Sequence, residues 1–590
     1  MLPWHSNPEG PLWVYPPSNE TWKNKIVEEF NIHPVTAQIL VTRGFTSLDE
    51  IHHYLYAKLP DLFDPFLMEG MDRAVQRVAA AIKNKECILI YGDNDVDGMT
   101  GTALLVEFLQ YIGAKVCFYV SSPGSSRQNQ IVEALEYAHQ FECRLMITVD
   151  CGITAAVEIA RVNDANIDVI VTDHHEPTET LPRCVSILNP KLSTNTYPNR
   201  DLTGVGVAFK LAHGITKQLI ADGTIAPKKV DLKRYLDLVA LGTISDMGAL
   251  LSENRILVRY GLRQLRKTKR IGLAKLISIS DPELEMGEVS TYTVASKIAP
   301  RLNSLGRIDD PRKGVELLLV RNTQMAEKMA LELDLNNIER QRIERTMSND
   351  IETKLAAHPD LFQRKAIVIS SDSWHPGIIA ILSTRISKYY NRPTIMISVE
   401  EGIGKGSVRS IPEFPVLDVL KGCSDLLLNY GGHDLAAGLT IKVENILQFT
   451  ERFISAAEQR LQSQDIMNKL YLDAEVHLRD LTFDLMESIS LLAPYGNENP
   501  QPLLYCTAKQ AWPPKVVGKN HLKLYLEEMN DPGLVIEGIA FGRAHAGEGL
   551  RKKNLAIEVA FTPQINNYLG PSIQLLVRDF KIKETLKVTS

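Results

Sequence analysis

The stretch ECILIYGDNDVDG (86–98) decides the fold. Its first half is a short run rich in apolar and β-branched residues, which is typical of a buried strand. Its second half places Asp93, Asp95 and Asp97 on the turn that follows the strand. The stretch therefore predicts a strand that lies inside a covered sheet and ends in an acidic loop.

Further strands follow this one at regular intervals, and helical stretches separate them. They are AKVCFYV (114–120), RLMITV (144–149) and IDVIVT (167–172), and the sequence predicts helices over 72–84, 100–112 and 130–140. Short strands that alternate with helices of this length indicate an α/β fold with a parallel sheet covered on both faces. Ligands of such sheets bind beyond the carboxyl ends of the strands.

Carboxylates and imidazoles follow two more of these strands. Asp150 follows the third strand in VDCG, and Asp173, His174 and His175 follow the fourth in TDHHEP. A single aspartate after a strand is usually a helix cap or a turn residue, but three strand ends of one sheet bring these groups to the same edge. Clustered anions repel one another unless a cation neutralises them, and Asp with His favours manganese or magnesium over zinc.

Two further points bear on this cluster. Asp246, in LVALGTISDMGAL (238–250), ends an apolar helix and is expected to contribute a fourth group. The alternative interpretation of GDNDVDG is a glycine-rich phosphate loop, which fits poorly because three carboxylates would repel a phosphate in the absence of metal.

The rest of the chain adds a second α/β pattern and a run of β-strands. At roughly 100–200 residues per domain, a chain of 590 residues holds several domains. The long stretch without Gly or Pro predicts one or two connecting helices, and the five short strands after residue 470 suit an OB-fold. The predicted domains are a helical lead-in (1–70), the domain of the acidic loops (71–314), the connecting helix (315–358), a second α/β domain (359–466) and the barrel (467–590).

Composition excludes several classes of protein. Apolar residues make up 44% and charged residues 23% of the chain, so disorder is excluded as the main state. A net charge of −6 excludes a wholly basic nucleic-acid coat but leaves room for a local basic groove. No apolar run approaches the ~18 residues of a membrane helix, and the first residues do not form a signal peptide. Seven cysteines without CxxC spacing predict reduced thiols in a cytoplasmic protein, with neither zinc nor disulfides.

Eight segments together resemble a known family. The first four resemble motifs of the DHH phosphoesterase superfamily, and the later four are similar to the RecJ-type single-strand-specific 5′→3′ exonucleases. The segments are GDNDVDG, VDCG, TDHHEP, GTISDMGAL, KIAPRLNSLGRIDDP (297–311), SWHPGIIAILSTRI (373–386), GKGSVRS (404–410) and YGGHDLAAGL (430–439). The resemblance covers nearly the whole chain. It implies a DHH catalytic domain, a DHH-associated second domain and an OB-fold-like nucleic-acid-binding barrel.

The resemblance also implies an activity, which is metal-dependent 5′→3′ hydrolysis of single-stranded DNA to mononucleotides, in DNA repair and recombination. Two divalent ions, manganese or magnesium, would be held by Asp93, Asp95, Asp97, Asp150, His174 and Asp246. The residues that would take part in catalysis are Asp95, Asp150, Asp173, His174 and His175. Whether Asp93 or Asp97 is a direct ligand stays open.

The expected substrate contacts lie mainly in the later segments. GKGSVRS offers flexible backbone N–H groups and charged or hydroxyl side chains that suit a phosphate, although a plain surface turn is the alternative. The candidates are Arg301, Asn303, Arg307, His375, Lys405, Ser407, Arg409, Ser410 and His433. Structural roles are the alternative for several of them. Residues 301–307 are expected to form a glycine-containing loop before the long helix, where the arginines could instead form ion pairs. RYGLRQLRKTKR (259–270) is either a solvated helix face or a strip that follows the DNA backbone.

One loop departs from the family pattern. Where the family has an Arg-containing loop with a Gly-Tyr-Gly element, this chain has SSPGSSRQNQ (121–130), whose one basic residue is Arg127. The resemblance implies single-stranded DNA as partner, with a single-strand-binding protein and a helicase as further partners, no membrane, and a monomer. The alternatives are a DHH-type phosphoesterase for short oligonucleotides or cyclic dinucleotides, and a non-catalytic DNA-binding replication factor on the same scaffold.

Overall fold

The computed structural model describes residues 10–121, 127–227, 229–282, 289–529, 533–551, 555–568 and 570–583. The chain divides into two compact units. The parallel-sheet unit comprises residues 54–340 and 493–500, and the barrel unit comprises residues 1–53, 341–492 and 501–590.

The described chain begins with a short strand and three helices, as expected of a helical lead-in. These elements are β1 (Leu12–Val14), α1 (Glu20–Phe30), α2 (Pro34–Thr42) and α3 (Leu48–Tyr56). Within the barrel unit, the Thr42 hydroxyl donates to the carbonyl of Asp473 over 2.8 Å, and Arg43 forms an ion pair with the Asp473 carboxylate. The helical lead-in is therefore tied to the beginning of the C-terminal barrel region.

The sheet of the parallel-sheet unit has five parallel strands in the order β3-β2-β4-β5-β6. Its elements are α4 (Met71–Lys83), β2 (Cys87–Gly92), α5 (Val96–Tyr111), β3 (Lys115–Val120), α6 (Arg127–Gln140), β4 (Cys143–Val149), α7 (Ala156–Asp164), β5 (Asp168–Thr172) and β6 (Ser186–Leu188). The predicted parallel sheet is confirmed, and the four predicted strands coincide with β2 to β5 within a residue or two. The three-residue β6 was not predicted.

Helices cover both faces of this sheet, because both faces of its central strands are apolar. On one face, α6 and α7 pack through Ile131, Ala134, Ile159 and Val162. The other face packs against α4, α5 and the following helices, and it contains the largest core of the chain. These further helices are α8 (Gly204–Ala221), α9 (Leu236–Ser245), α10 (Ser252–Leu265), α11 (Ile271–Ser280), α12 (Thr291–Thr293), α13 (Ala299–Ile308) and α14 (Arg312–Leu319).

The predicted connection is two helices, α14 and the much longer α15 (Thr323–Ala357). The second α/β region follows it in the barrel unit, with a mixed sheet in the order β10-β11-β9-β8-β7. Its elements are β7 (Ile367–Ser371), α16 (Ile379–Tyr390), β8 (Thr394–Glu400), β9 (Ile403–Arg409), α17 (Val416–Lys421), β10 (Leu427–His433), β11 (Ala436–Lys442) and α18 (Ile446–Arg460). Only β7 and β8 pair in parallel; the other three pairings are antiparallel.

The C-terminal strands form a sheet that closes on itself. The order is β13-β14-β18-β19-β17-β16-β15, and an additional pairing of β14 with β16 completes a ring of five strands. The elements are β12 (Lys469–Tyr471), β13 (Ala474–Glu475), α19 (Phe483–Ser490), β14 (Leu504–Gln510), β15 (Lys515–Val517), β16 (His521–Glu528), β17 (Val535–Ala540), β18 (Ile557–Asn566) and β19 (Ser572–Ile582). The five ring strands are the five that the sequence predicts, so the OB-fold-like barrel is confirmed.

Candidate metal centre

The loop after β2 delivers three carboxylates at the beginning of α5. Asp95 is the N-cap of α5, and its Oδ1 accepts the N–H groups of Asp97 over 2.9 Å and of Gly98 over 3.1 Å. Asp93 accepts a hydrogen bond from the Ser121 hydroxyl, which follows β3, over 3.1 Å. A Cβ atom at Gly98 would lie 2.5 Å from the Asp93 carbonyl oxygen, so this tight turn requires glycine.

Asp97 is buried at the N-terminus of α8. Its two oxygens accept the N–H groups of Gly204 over 2.6 Å and of Val205 over 2.9 Å. Burial raises the pKa of the Asp97 carboxyl well above its usual range, and the charges of Asp246 and Asp95 raise it further. The amides of α8 were not predicted as part of the site, although the sequence TGVGV (203–207) carries a signal. A Cβ atom at Gly204 would lie 2.5 Å from the Asp150 side chain, so only glycine fits here.

Asp150 lies at the tip of β4 in the left-handed backbone conformation, with a φ of 64°. Aspartate tolerates this conformation better than most residues do. The side chain is 2% exposed, and its Oδ1 atom accepts no hydrogen bond from any residue in the described ranges. The Nε2 atom of His174 lies 3.0 Å from that oxygen. Burial and the surrounding carboxylates, beginning with Asp97, raise the pKa of Asp150 well above its usual range.

His174 brings the carboxylates of three elements together. Its Nε2 atom lies 3.0 Å from Asp150 Oδ1, 3.6 Å from Asp246 Oδ2 and 3.9 Å from Asp97 Oδ2. Asp246 is the C-cap of α9, and burial, followed by the charge of Asp95, raises its pKa to about 7. The helix that the sequence predicts to end at Asp246 therefore delivers its carboxylate to the same point as the strand ends.

Asp173 orients the second histidine. Its Oδ1 atom contacts His175 Nδ1 at 2.8 Å and accepts the N–H groups of His174 and His175, while its Oδ2 accepts the N–H group of Ile153. Burial alone would raise the pKa of Asp173, but the hydrogen bonds from His175 and the backbone leave it lowered. The hydrogen bond with Asp173 raises the pKa of His175 to about 9, so the imidazole is a cation at neutral pH.

We call the group of Asp93, Asp95, Asp97, Asp150, His174 and Asp246 the acidic centre. It contains two triads with ligand atoms within 4.8 Å of one another, Asp93–Asp95–Asp150 and Asp97–His174–Asp246. Asp150 also belongs to a triad with His174 and His175, so it adjoins both groups. Burial, followed by repulsion between the carboxylates, raises the pKa values of Asp97, Asp150 and Asp246, and a divalent cation would stabilise their ionised forms. Oxygen ligands with one imidazole suit Mg²⁺ or Mn²⁺, and the centre fits such ions.

Three family descriptions match the chain, in the order of its domains. They are "DHH family, N-terminal domain" over residues 87–243, "DHHA1 domain" over 363–462 and "RecJ OB domain" over 472–579.

Curated proteins extend the match to nearly the full length. The single-stranded-DNA-specific exonuclease RecJ of Bacillus subtilis is 34% identical over 95% of this chain and 69% of its own length. The protein of the same name from Haemophilus influenzae is 32% identical over 92% of this chain and 96% of its own length. This chain belongs to the RecJ family of single-stranded-DNA-specific exonucleases.

Solved structures agree with this family. The crystal structure of RecJ from Thermus thermophilus in complex with Mn²⁺ has a TM-score of 0.81 and 27% identity, and the match covers 98% of this chain and 80% of that one. The same protein in complex with Mg²⁺ has a TM-score of 0.74 and 25% identity over 97% of this chain and 79% of that one. In the described part of this RecJ-family chain, none of the helices has both the length and the apolar character of a membrane span.

The segment GKGSVRS of this RecJ-family chain differs from the expected flexible loop. It lies in β9, whose residues pair with β8 on one side and β11 on the other. The candidates on it differ in their surroundings: Lys405 is exposed, while the Ser407 hydroxyl lies 3.2 Å from that of Ser383. Its backbone N–H groups serve the sheet, so the side chains are the groups left to bind a phosphate.

Arg409, the last residue of β9, is a half-buried cation. Its guanidinium donates to the Thr384 hydroxyl over 2.9 Å, to the Val408 carbonyl over 2.8 Å and to the Ser407 hydroxyl over 3.3 Å. Among the described residues, no carboxylate lies within ion-pair distance of it, and burial lowers its pKa. A half-buried arginine that is held only by neutral oxygens is well suited to an anionic ligand.

The other candidates of the barrel unit lie near turns. His433 is exposed at the end of β10, and the His375 Nδ1 atom accepts the N–H group of Gly377. The Ser410 hydroxyl donates to the Phe414 carbonyl over 2.6 Å and holds the turn after β9. Trp374 is buried and donates to Asp350, which supports a structural role for it.

The candidates of 301–307 lie in helix α13 and not in a loop as expected. Arg301 forms an ion pair with Asp334 of α15, the packing role that the sequence left open. Asn303 accepts the N–H group of Val96 over 3.3 Å, so it contacts the beginning of α5 beside the acidic centre. Arg307 is half-buried in the same helix. Contact of these residues with DNA stays a prediction.

The structure describes the basic segment (259–270) but not the side chain of Arg127. Arg127 begins α6, but its side chain and residues 122–126 lie outside the described residues. In the basic segment, Arg259 donates to the carbonyls of Leu55 and Ala493, and Arg270 is paired with Glu107 and Asp237. Two of its six basic residues are therefore half-buried and make structural contacts.

Proposed function

We propose that this member of the RecJ family removes nucleotides from the 5′ end of single-stranded DNA, in DNA repair and recombination, with manganese or magnesium as cofactor. The observation that carries the proposal is the buried Asp150 carboxylate, which adjoins both ligand triads and whose Oδ1 atom is not satisfied by hydrogen bonds within the described residues. A group of this kind is expected where an external cation completes a site.

Each triad of the acidic centre would hold one ion, with Asp150 as the ligand common to both. Asp93 and Asp95 would complete one site, and Asp97, His174 and Asp246 the other. When bound, the ions supply stabilisation of the negative charge that develops on the phosphate and activation of a water nucleophile. The chain's own contribution is to hold these ligands rigidly, through the N-cap of α5 and the amides at the N-terminus of α8.

His175 would contact the phosphate that is cleaved. Its imidazole is a cation at neutral pH, it is 44% exposed, and the buried carboxylate of Asp173 fixes its orientation. A fixed cation beside the reacting phosphate stabilises charge that develops in the transition state. Asp173 would act through His175 as a positioning residue.

We assign 5′-phosphate binding to β9 and its surroundings in the barrel unit. Arg409 and Ser407 are the central candidates, because Arg409 lacks a carboxylate partner among the described residues and the Ser407 hydroxyl lies 3.3 Å from its guanidinium. The terminal phosphate of a DNA strand carries close to two negative charges near neutral pH and so differs from internal phosphates. Lys405, Ser410, His375 and His433 would assist.

The barrel would bind the single strand by stacking. Trp512, Phe541 and Tyr568 are 56%, 48% and 88% exposed, and aromatic side chains in this state are suited to stacking with bases. Lys515 and Lys523 lie over the ring of Tyr525, whose centroid is 5.3 Å from that of Trp512, so positive charge adjoins the surface around Trp512. This surface favours a long strand over the alternative substrates, short oligonucleotides or cyclic dinucleotides.

One assay tests the proposal against both alternatives. Purified protein with Mn²⁺ is incubated with 5′- or 3′-labelled single strands, with duplex DNA and with short RNA. We expect the 5′ label to be released first, as a mononucleotide, from single-stranded DNA. Preferential cleavage of the short RNA would support the short-substrate phosphoesterase, and binding without hydrolysis would support the non-catalytic factor. A cytoplasmic location, a monomeric state and work with a single-strand-binding protein and a helicase stay predictions.

A further inference from the structure

Three thiols meet at the end of the parallel sheet opposite the acidic centre. Cys87, Cys117 and Cys143 lie on β2, β3 and β4, and their sulfur atoms all lie within 4.8 Å of one another. The sulfur atoms of Cys117 and Cys143 are 3.4 Å apart. We call this group the thiol cluster. It lies on the face of the sheet that α6 and α7 cover.

The register of the strands brings the thiols together. Cys87 is paired with Cys143 on one side and with Lys115 on the other, and Cys117 is two residues beyond Lys115. Paired residues of neighbouring strands share a face of the sheet, as do residues two apart in one strand. The sequence alone predicts no zinc because CxxC spacing is absent. That criterion cannot detect ligands that come from three separate strands.

The thiol cluster is separate from the acidic centre. Cys87 begins β2, and Asp93 follows its end, six residues later. At about 3.3 Å for each residue of a strand, the two sites are roughly 20 Å apart. The chemistry also differs, because one site offers hard oxygen ligands and the other offers soft sulfur ligands.

We propose that the thiol cluster binds one thiophilic metal ion, Zn²⁺ or Cu⁺. Zinc–sulfur bonds of about 2.3 Å place the sulfur atoms of a site about 4 Å apart, so small rotations of the three side chains would suffice. Each coordinating thiol releases its proton to solvent, and no electron is transferred. Cys87 is partly exposed, which leaves room for a water as the fourth ligand of zinc.

The bound ion would join the three strands that lead into the catalytic loops. Asp93, Asp150 and Ser121 follow the strands of Cys87, Cys143 and Cys117. An ion that binds only the folded state stabilises it. Lys115, opposite Cys87, favours the thiolate form that binding requires.

The test uses the full chain, freed of metal and kept reduced with a phosphine, in saturating Mg²⁺. Cd²⁺ is the probe, because its bonds to thiolates give a charge-transfer absorption in the ultraviolet. We expect saturation at one equivalent. Cys87→Ser and Cys117→Ser should each lose about a third of the absorption and weaken binding at least about tenfold, since each removes one of three ligands. Zn²⁺ and Cu⁺ are then compared as competitors, to identify the ion that binds.

Control variants separate this site from the other thiols. Cys151→Ser, beside the acidic centre, and Cys423→Ser, in the other unit, should leave the absorption unchanged. Zn²⁺ or Cu⁺ should raise the Tm of the wild type more than that of Cys117→Ser, which should remain folded by circular dichroism and active with Mg²⁺. Absence of the absorption at one equivalent, or its full retention in Cys117→Ser, would overturn the proposal.

Discussion

Two buried groups of charged side chains in the parallel-sheet unit differ in how their charge is balanced. In the first, which we call the ion-pair cluster (Tyr197, Lys210 and Glu253), Lys210 contacts Glu253 at 2.7 Å. Tyr197 donates to the other Glu253 oxygen over 2.6 Å, and Lys210 also donates to the Phe63 carbonyl over 2.7 Å. In the second, the acidic centre, carboxylates are gathered around a single imidazole.

The difference separates a structural charge cluster from a functional one. The ion-pair cluster contains both signs of charge, and its polar atoms bond with one another, so it needs nothing from outside. The acidic centre has an excess of carboxylates, and burial and mutual repulsion raise the pKa values of Asp97 and Asp150. We infer that the ion-pair cluster stabilises the fold, whereas the acidic centre destabilises the metal-free fold and serves to bind metal.

Removing Asp150 should have the largest effect on activity and little effect on folding. Asp150→Ala removes the ligand that adjoins both triads, and we expect hydrolysis of single-stranded DNA to fall by more than about a hundredfold. The metal-free protein should stay close to the wild type in stability, because the loss of one repelling carboxylate offsets the strain of alanine in the left-handed conformation. Single-turnover rates with Mn²⁺ and urea unfolding in EDTA measure the two effects.

The matched control for that variant is Asp164→Ala, which removes an exposed aspartate at the end of α7 in the same unit. It should keep both activity and stability. If Asp150→Ala retained more than about a hundredth of the wild-type rate, the assignment of Asp150 as the ligand common to two ions would be wrong.

Breaking the ion-pair cluster should, in contrast, strongly lower the free energy of unfolding. Glu253→Ala leaves the ammonium of Lys210 buried without its carboxylate, and such a loss costs about 3–5 kcal/mol of unfolding free energy. Glu327→Ala is the matched control, because its pair with Lys275 is exposed and is expected to contribute less than about 1 kcal/mol. Equal destabilisation by the two variants would show that the ion-pair cluster is not structural.

The elements of the acidic centre could be predicted from sequence because strand ends in a parallel sheet meet at one edge. Asp93, Asp150 and His174 required only the alternation of strands and helices, and the apolar helix before Asp246 supplied the fourth element. The amides of Gly204 and Val205 were missed, since the glycines of TGVGV indicate a close approach of the backbone but not which carboxylate it meets.

Outside the acidic centre, sequence reasoning was less accurate where tertiary packing decides. Glycines suggested a loop for GKGSVRS, but the sheet accepts them in β9, where side chains of neighbouring strands fill the space; Leu439 lies within 2.6 Å of a Cβ built at Gly406. Similarly, Gly306 lies within helix α13 and not in a loop, and it allows that helix to approach Asn94. The thiol cluster depends on the register of three strands, which the sequence alone did not supply.

Arg409 extends the comparison to a half-buried cation of the barrel unit. Unlike Lys210, it has no partner of opposite charge among the described residues. Arg409→Ala should lose preference for 5′-phosphorylated over 5′-hydroxyl strands by about ten- to a hundredfold, because a hydrogen bond to a charged group contributes roughly 1.5–3 kcal/mol. The measurement is kcat/KM on the two kinds of strand.

Arg452→Ala is the control for this variant, since Arg452 is an exposed arginine of the same unit that is paired with Asp425. Arg127→Ala should have a smaller effect than Arg409→Ala, or none. If the wild type made no distinction between the two kinds of 5′ end, Arg409 would not be the phosphate-binding residue.

The smallest expected effect is an opposite dependence of stability on pH in the two groups. In the acidic centre, the pKa of Asp246 is raised to about 7, mainly by burial, so folding favours its protonated form. Its contribution should weaken as the pH rises from about 4 to 7. The pKa of His175 is raised to about 9 by Asp173, so its stabilisation is complete below about 6.5 and is lost as the pH rises through 9. Asp246 and His175 therefore both make the metal-free protein less stable at higher pH.

Beside the ion-pair cluster, His213 gives the opposite dependence of stability on pH. Burial, followed by the charge of Lys210, lowers the pKa of His213 to about 4, so folding favours its neutral form. This contribution is complete above about pH 6.5 and is lost as the pH falls through 4.

Hydrogen exchange of β4 tests the pH dependence of the acidic centre. In EDTA, between pH 5 and 9 and with correction for the intrinsic exchange rate, it should show protection that declines on the alkaline side. Mn²⁺ should reduce that decline, because a bound cation holds the carboxylates ionised, and Asp246→Asn should remove its part below pH 7. Protection of the metal-free protein that increased steadily up to pH 9 would contradict the charge imbalance on which the comparison rests.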